Sequence, residues 1–226
     1  MTQRPRIALL GRFTNSASAL RYAGVVSSRA LLEGLWNAGA DPVTLLPALD
    51  SNWAERLLGF DGVLLAGGGD INPARYGQEP DESVYDVDDL QDQADFELTE
   101  YVLGQGIPTL AVCRGMHVVN VVRGGTLIQD MPVNHRNHVH QVKVTNHEAF
   151  GFSDEVITAS CYHHQAIDQL GSGLTIEGRA EDGTVEAMSI AANGWAYGVQ
   201  FHPEDTAASD VNQSGLLAEL VKQASK

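Results

Sequence analysis

Four short runs, residues 7–10, 42–46, 62–66 and 109–112, are apolar almost throughout, and helical patterns lie between them. A strand without a polar face has to be covered on both sides, which suits the interior of a parallel sheet. Residues 28–38 form one helical pattern, which stops at Gly39. Residues 94–103 form another, with Ala94, Leu98, Tyr101 and Val102 on one stripe and Gly104, Gly106 and Pro108 closing it. Strand–helix alternation predicts right-handed βαβ units.

The second half changes character. Residues 138–144 alternate with period two, and 156–159, 174–180, 185–190 and 196–200 are further short strand candidates. Asp182-Gly183 marks a hairpin turn between two of these, and residues 211–223 carry an amphipathic helical pattern. No repeat, low-complexity tract or linker interrupts the 226 residues, so one domain spanning 1–226 is expected.

Charge narrows the partners. Fourteen basic residues against 29 acidic ones give a formal net charge of −15. Nucleic acid and anionic membranes require Lys/Arg patches, so neither is expected as a partner. Residues 79–100 hold ten acidic side chains and no basic one, a run that reads as a solvated face or loop. Two cysteines, Cys113 and Cys161, argue against a disulfide framework. Residues 1–6 are polar and lack the zones of a signal peptide, and no apolar stretch approaches the ~20 residues of a membrane span. A cytoplasmic location is expected.

Thr109-Leu110-Ala111-Val112-Cys113-Arg114-Gly115-Met116-His117 delivers a cysteine from one apolar run straight into another. A strand–turn–helix junction of this kind exposes a nucleophile above a sheet, beside helix N-terminal amides whose dipole favours the reactive thiolate. Val118, Val119, Val121 and Val122 prefer a strand by propensity, yet an elbow needs a helix over 115–123, and Gly124-Gly125 would end it. The alternative reading of Cys113 is a buried structural cysteine.

Three further clusters bear on it. In the extended Gln200-Phe201-His202-Pro203-Glu204, His202 and Glu204 are two apart and project to one side. A cysteine nucleophile needs a base, and the base needs an acceptor to fix its tautomer; His202 and Glu204 supply both, unless they are only a surface pair. Gly67-Gly68-Gly69-Asp70 follows a strand and can point backbone N–H groups into a concavity. An oxyanion hole at Gly68 and Gly69, completed by the amide of Arg114, is one use; a phosphate cradle or a plain turn are others, and the Lys and Ser/Thr of a P-loop are absent. His163 and His164 in Cys161-Tyr162-His163-His164-Gln165 line a pocket or cap a loop. His135, His138 and His140 concentrate histidine locally, but no Cys or acidic ligand accompanies them at a known spacing, so neither a metal site nor a cofactor is expected.

Together these residues resemble the class I glutamine amidotransferase superfamily. They are more closely similar to its stand-alone branch, the γ-glutamyl-γ-aminobutyrate hydrolase-like proteins of peptidase family C26. The similarity extends over residues 40–204. It includes Gly67-Gly68-Gly69-Asp70-Ile71-Asn72-Pro73 with Tyr76-Gly77, then Cys113-Arg114-Gly115 with Asn120 and Gly124-Gly125-Thr126-Leu127-Ile128-Gln129-Asp130. It continues through His163-His164-Gln165, Asp182-Gly183-Thr184-Val185-Glu186-Ala187 and Gly198-Val199-Gln200-Phe201-His202-Pro203-Glu204.

The resemblance implies a flavodoxin-like α/β fold, with a mostly parallel central sheet flanked by helices and a small additional antiparallel sheet. It implies a Cys113–His202–Glu204 triad, an oxyanion hole near Gly68, Gly69 and Arg114, and a substrate side formed around Tyr162, His163 and His164. The implied activity is hydrolysis of a γ-glutamyl amide through a cysteine thioester, releasing glutamate and an amine, as in amine catabolism. A glutaminase subunit that delivers ammonia to a synthase, or a non-catalytic sensor of a γ-glutamyl metabolite, are the alternatives; a homodimer is plausible. The family usually has Gln four residues after the nucleophile, where this chain has His117, so His117 joins the candidate substrate contacts. Residues 86–95 also depart from the family's Arg-Asp pairing before the next helix.

Overall fold

In the computed structural model, which describes residues 3–18, 20–49, 52–133 and 135–226, the first apolar run is β1 (Arg6–Leu10). Met1 and Thr2, at the start of the polar segment, lie outside the described residues. A ribbon of β2 (Arg12–Thr14) and β3 (Gly24–Val26) follows, then α1 (Arg29–Asn37), β4 (Asp41–Leu45), the single turn α2 (Trp53–Arg56) and β5 (Gly62–Leu65). Next come α3 (Asp89–Gln105), β6 (Thr109–Val112), α4 (Arg114–Val122) and β7 (Leu127–Ile128). The second half supplies β8 (His138–Val144), β9 (Val156–Cys161), β10 (Ala166–Ile167), β11 (Leu174–Arg179), β12 (Val185–Ile190), β13 (Ala196–Val199) and α5 (Val211–Ala224).

Nine strands form one sheet in the order β4-β1-β5-β6-β13-β12-β11-β8-β9. The strands from β4 to β13 are parallel: Leu9 faces Thr44 and Leu64, Leu64 faces Leu110, and Val112 faces Val199. On its other edge β13 runs antiparallel to β12, with Val199 opposite Ala187, and β11, β8 and β9 extend that arm. The antiparallel strands therefore prolong the parallel sheet through β13. Among the described residues the separate antiparallel pieces are the two-stranded pairs β2–β3 and β7–β10.

Alternation along the parallel strands sorts the core into two layers. Ala8, Leu10, Val63, Leu65 and Ala111 pack with Leu98 and Val102 of α3 and Met116, Val118 and Val119 of α4. Ile7, Leu9, Leu64, Leu110 and Val112 pack on the opposite face with Leu31 and Leu35 of α1 and Leu216, Leu217 and Leu220 of α5. Each such large side chain contributes about 1.5–3 kcal/mol on full burial, which outweighs the β propensity of the valines in α4.

The acidic run is a loop up to Asp88, as expected, and departs from a solvated face only within α3. The α3 helix begins five residues before the apolar stripe, because the Asp88 side chain caps it by accepting from the Leu90 and Gln91 amides. Its first turns bury Asp92 and Asp95, while Glu79, Asp81, Glu82 and Asp86 remain exposed. No helix among the described residues is long and apolar enough to cross a membrane.

Candidate active site

Cys113 sits between β6 and α4 with φ 51° and ψ −110°, a left-handed value that a β-carbon disfavours. Such strain costs of order 1–3 kcal/mol and persists only where the surroundings over-determine it. Here the Cys113 amide donates to the Val199 carbonyl at 2.8 Å, and its own carbonyl accepts from the Met116 and His117 amides at 2.9 and 3.3 Å. Gly115 permits the turn: a β-carbon there would lie 2.3 Å from the Leu65 carbonyl oxygen.

β13 continues past Val199 and delivers His202 to the same place. The His202 amide donates to the Ser160 carbonyl at 2.8 Å, and Nδ1 lies 2.9 Å from Glu204 Oε1. A carboxylate only accepts, so Nδ1 carries the proton and Nε2 is turned inward. A β-carbon built on Gly67 would lie 3.1 Å from His202 Cε1, 3.6 Å from Cys113 Cβ and 4.0 Å from Cys113 Sγ, so glycine leaves that space open between them. His202 Nε2 is buried and makes no well-aligned hydrogen bond. Burial alone would lower the His202 pKa, but the Cys113 side chain and Glu204 outweigh it and raise it to about 11. The sequence-expected Cys113, His202 and Glu204 are thus brought together.

Gly68, Gly69 and Arg114 line the cleft over Cys113. The amide of Arg114 lies in the first turn of α4, where no intrahelical acceptor is available. The Arg114 side chain leaves in another direction, to Asp92 at 2.5 Å and to Asp95, with Arg12 3.7 Å from Asp95. The two carboxylates more than offset burial and raise the Arg114 pKa, while burial and the Arg114 charge lower that of Arg12 to about 10. Sequence reasoning missed this buried ionic cluster. Its available signal was the i, i+3 spacing of Asp92 and Asp95 beside the apolar stripe of α3.

The remaining candidates line the same cleft. His117 Nε2 donates to Gln200 Oε1 at 2.7 Å, and burial, aided by His163, pushes its pKa down to about 3. His117 is therefore a neutral donor held by the residue that follows β13. His164 Nε2 lies 3.2 Å from Asp70 and its Nδ1 3.2 Å from Asp130, with the Tyr85 ring 5.3 Å away. Burial raises the Asp70 pKa against the Tyr85 amide and His164. Tyr162 is half exposed at the rim. The cleft volume is about 20 Å³, enough for one water.

Behind the cleft, residues that are distant in sequence converge. One ligand atom from each of His135, His140, Cys161 and Glu186 lies within 4.8 Å of all the others. Local spacing predicted no Cys or acidic partner for the histidines; β9 supplies the first and β12 the second, through sheet pairing that spacing does not reveal.

The family model of peptidase C26 matches residues 8–204. A Mycobacterium tuberculosis protein, provisionally named a glutamine amidotransferase, is 36% identical over 188 residues, covering 76% of this chain and 60% of its own length. The γ-glutamyl-γ-aminobutyrate hydrolase PuuD of Escherichia coli K12 is 30% identical over 195 residues, 76% of each chain. A glutamine amidotransferase from Thermotoga maritima superposes with TM-score 0.67 at 16% identity, over 99% of both chains, and shows the fold. The chain spans about 60% of the length of the mycobacterial relative and about three quarters of the E. coli one. With the class I glutamine amidotransferase fold and a family match that runs from β1 to Glu204, this chain belongs to the peptidase C26 family.

Proposed function

We propose that the protein hydrolyses the γ-glutamyl amide of a γ-glutamyl-amine through a Cys113 thioester. The observation that carries this reading is the strained elbow at Cys113, facing a histidine whose far nitrogen is fixed by Glu204 at 2.9 Å. The Cys113 sulfur attacks the side-chain carbonyl carbon, and the resulting oxyanion meets the amides around Gly68, Gly69 and Arg114. The His202 imidazolium gives its proton to the leaving nitrogen, so the C–N bond breaks and the amine departs. Water then gives a proton back to His202 as its oxygen attacks the thioester, and the intermediate collapses to release glutamate and restore the Cys113 thiolate beside the imidazolium.

The name of the E. coli relative supports γ-glutamyl-γ-aminobutyrate as a member of the substrate class. His117, in place of the family's usual Gln, lines the cleft wall with its one N–H committed to Gln200. Tyr85 and the half-exposed Tyr162 line the cleft beside Cys113 that a glutamyl group would enter. The test is glutamate release from a panel of γ-glutamyl amides of aminobutyrate, polyamines, alkylamines and anilines. Turnover of at least one by the wild type, and of none by Cys113→Ala, supports the reading; equal rates for the two would sink it.

A further inference from the structure

We propose that His135 Nδ1, His140 Nε2, Cys161 Sγ and a Glu186 carboxylate oxygen form a structural site for a transition-metal dication of the Zn²⁺ class. The site is distinct from Cys113 chemistry and stands without it.

The first argument is distance. His135 Nδ1 and His140 Nε2 lie 3.3 and 3.4 Å from Glu186 Oε1, and Cys161 Sγ lies 3.6 Å from Glu186 Oε2 and 3.8 Å from His140 Nε2. Hydrogen bonds between imidazole and an ionised carboxylate close to about 2.7–2.9 Å. Ligands bound tetrahedrally at about 2.0–2.3 Å stand about 3.3–3.7 Å apart, and the four ligand atoms here lie within 4.8 Å of one another, with the contacts to Glu186 at 3.3–3.6 Å.

The second argument is the direction of the protons. His135 Nε2 lies 2.9 Å from Asp182 Oδ2, and His163 Nδ1 lies 2.9 Å from the Gln165 carbonyl oxygen. Carboxylate and carbonyl only accept, so each of these nitrogens carries the hydrogen. The other ring nitrogens, His135 Nδ1 and His163 Nε2, are aimed at the same oxygen, Glu186 Oε1, at 3.3 and 3.5 Å. His163 is buried and its Nε2 has no hydrogen-bond partner. Imidazole nitrogens and a thiol that converge on one fully buried carboxylate make a donor set suited to a cation. The Asp182–His135 bond is the carboxylate–histidine arrangement that orients metal-bound imidazoles.

Nitrogen, sulfur and carboxylate donors in one tetrahedral set suit Zn²⁺, and four protein ligands close the site to catalysis. Binding displaces the Cys161 thiol proton to solvent as the sulfur–metal bond forms. The ion would join the segment before β8 to β8, β9 and β12, and so brace Tyr162 and His163 on the cleft wall.

The test uses the full, tag-free chain, stripped with a chelator and titrated with Co²⁺, then Zn²⁺. One Co²⁺ per chain is expected, with tetrahedral visible bands and a thiolate-to-cobalt charge-transfer band that Zn²⁺ abolishes. The chain has two cysteines, so persistence of that band in Cys113→Ser assigns it to Cys161 without a variant of the site itself. Cys161→Ser should lose the band, and Asp182→Asn, altered at a part-exposed position, should weaken affinity by about 10–100-fold. Substoichiometric uptake by the wild type, or a band that disappears in Cys113→Ser, overturns the proposal.

Discussion

Arg114 Nη2 lies 2.5 Å from Asp92 Oδ1, with both side chains shielded from water. The residue that follows Cys113 is thereby anchored across α4 and α3, and the elbow inherits the stiffness of two helices. Neutralising one partner leaves a buried charge uncompensated, which costs about 3–5 kcal/mol, whereas an apolar replacement of both costs far less. Asp92→Asn should therefore lower the urea midpoint strongly, and Asp92→Leu/Arg114→Met should recover much of the loss. A single variant within about 1 kcal/mol of the wild type would contradict this account.

Cys113→Ala should remove turnover by a factor of ~10⁶, while Glu204→Gln, which leaves nucleophile and base in place, should cost nearer ~10⁴. Steady-state glutamate release measures both, with circular dichroism confirming that each variant folds. An equal loss in the two would mean that Glu204 does more than orient His202.

His117 is buried and neutral, with its pKa depressed to about 3. The unfolded chain has an ordinary histidine near 6.5, so the stabilising difference is present above that value and is lost as pH falls towards about 3. His117→Gln removes the titrating group and can keep a donor to Gln200. Unfolding free energies at pH 7 and pH 4 should diverge less in the variant, by on the order of 3 kcal/mol. Identical acid dependence in both proteins would assign the lability elsewhere.

His202 has the opposite sign. Its pKa of about 11 lies above the unfolded value, so its contribution is complete below about pH 6.5 and vanishes as pH climbs through about 11. In Cys113→Ala one of the causes of the shift is gone. The His202 imidazolium signal in NMR should then titrate at lower pH than in the wild type; coincident midpoints would rule out coupling between the two side chains.

Much of the framework was legible in the chain because buried parallel strands and elbow helices leave local patterns. The apolar runs became β1, β4, β5 and β6, and the segment 115–123 became α4 despite its valines. What escaped lacked a local signature. β7 and β10 are two residues each, too short for any period, and the first turns of α3 hide two carboxylates whose partner, Arg114, lies 19 and 22 residues away. Glu186 was visible only as part of a motif; its role depends on β8 and β9, which reach the same place through β11. Cys113, His202 and Glu204 were legible because the elbow and the histidine–carboxylate pair each make sense within a few residues.

Among the described residues β13 comes last of the strands in chain order, and it fills the slot between β6 and β12. In a chain still emerging from the ribosome Cys113 consequently precedes His202, and the two arms of the sheet remain unjoined until residues 196–199 arrive. A truncation upstream of that strand leaves a half-sheet with two open edges at its centre.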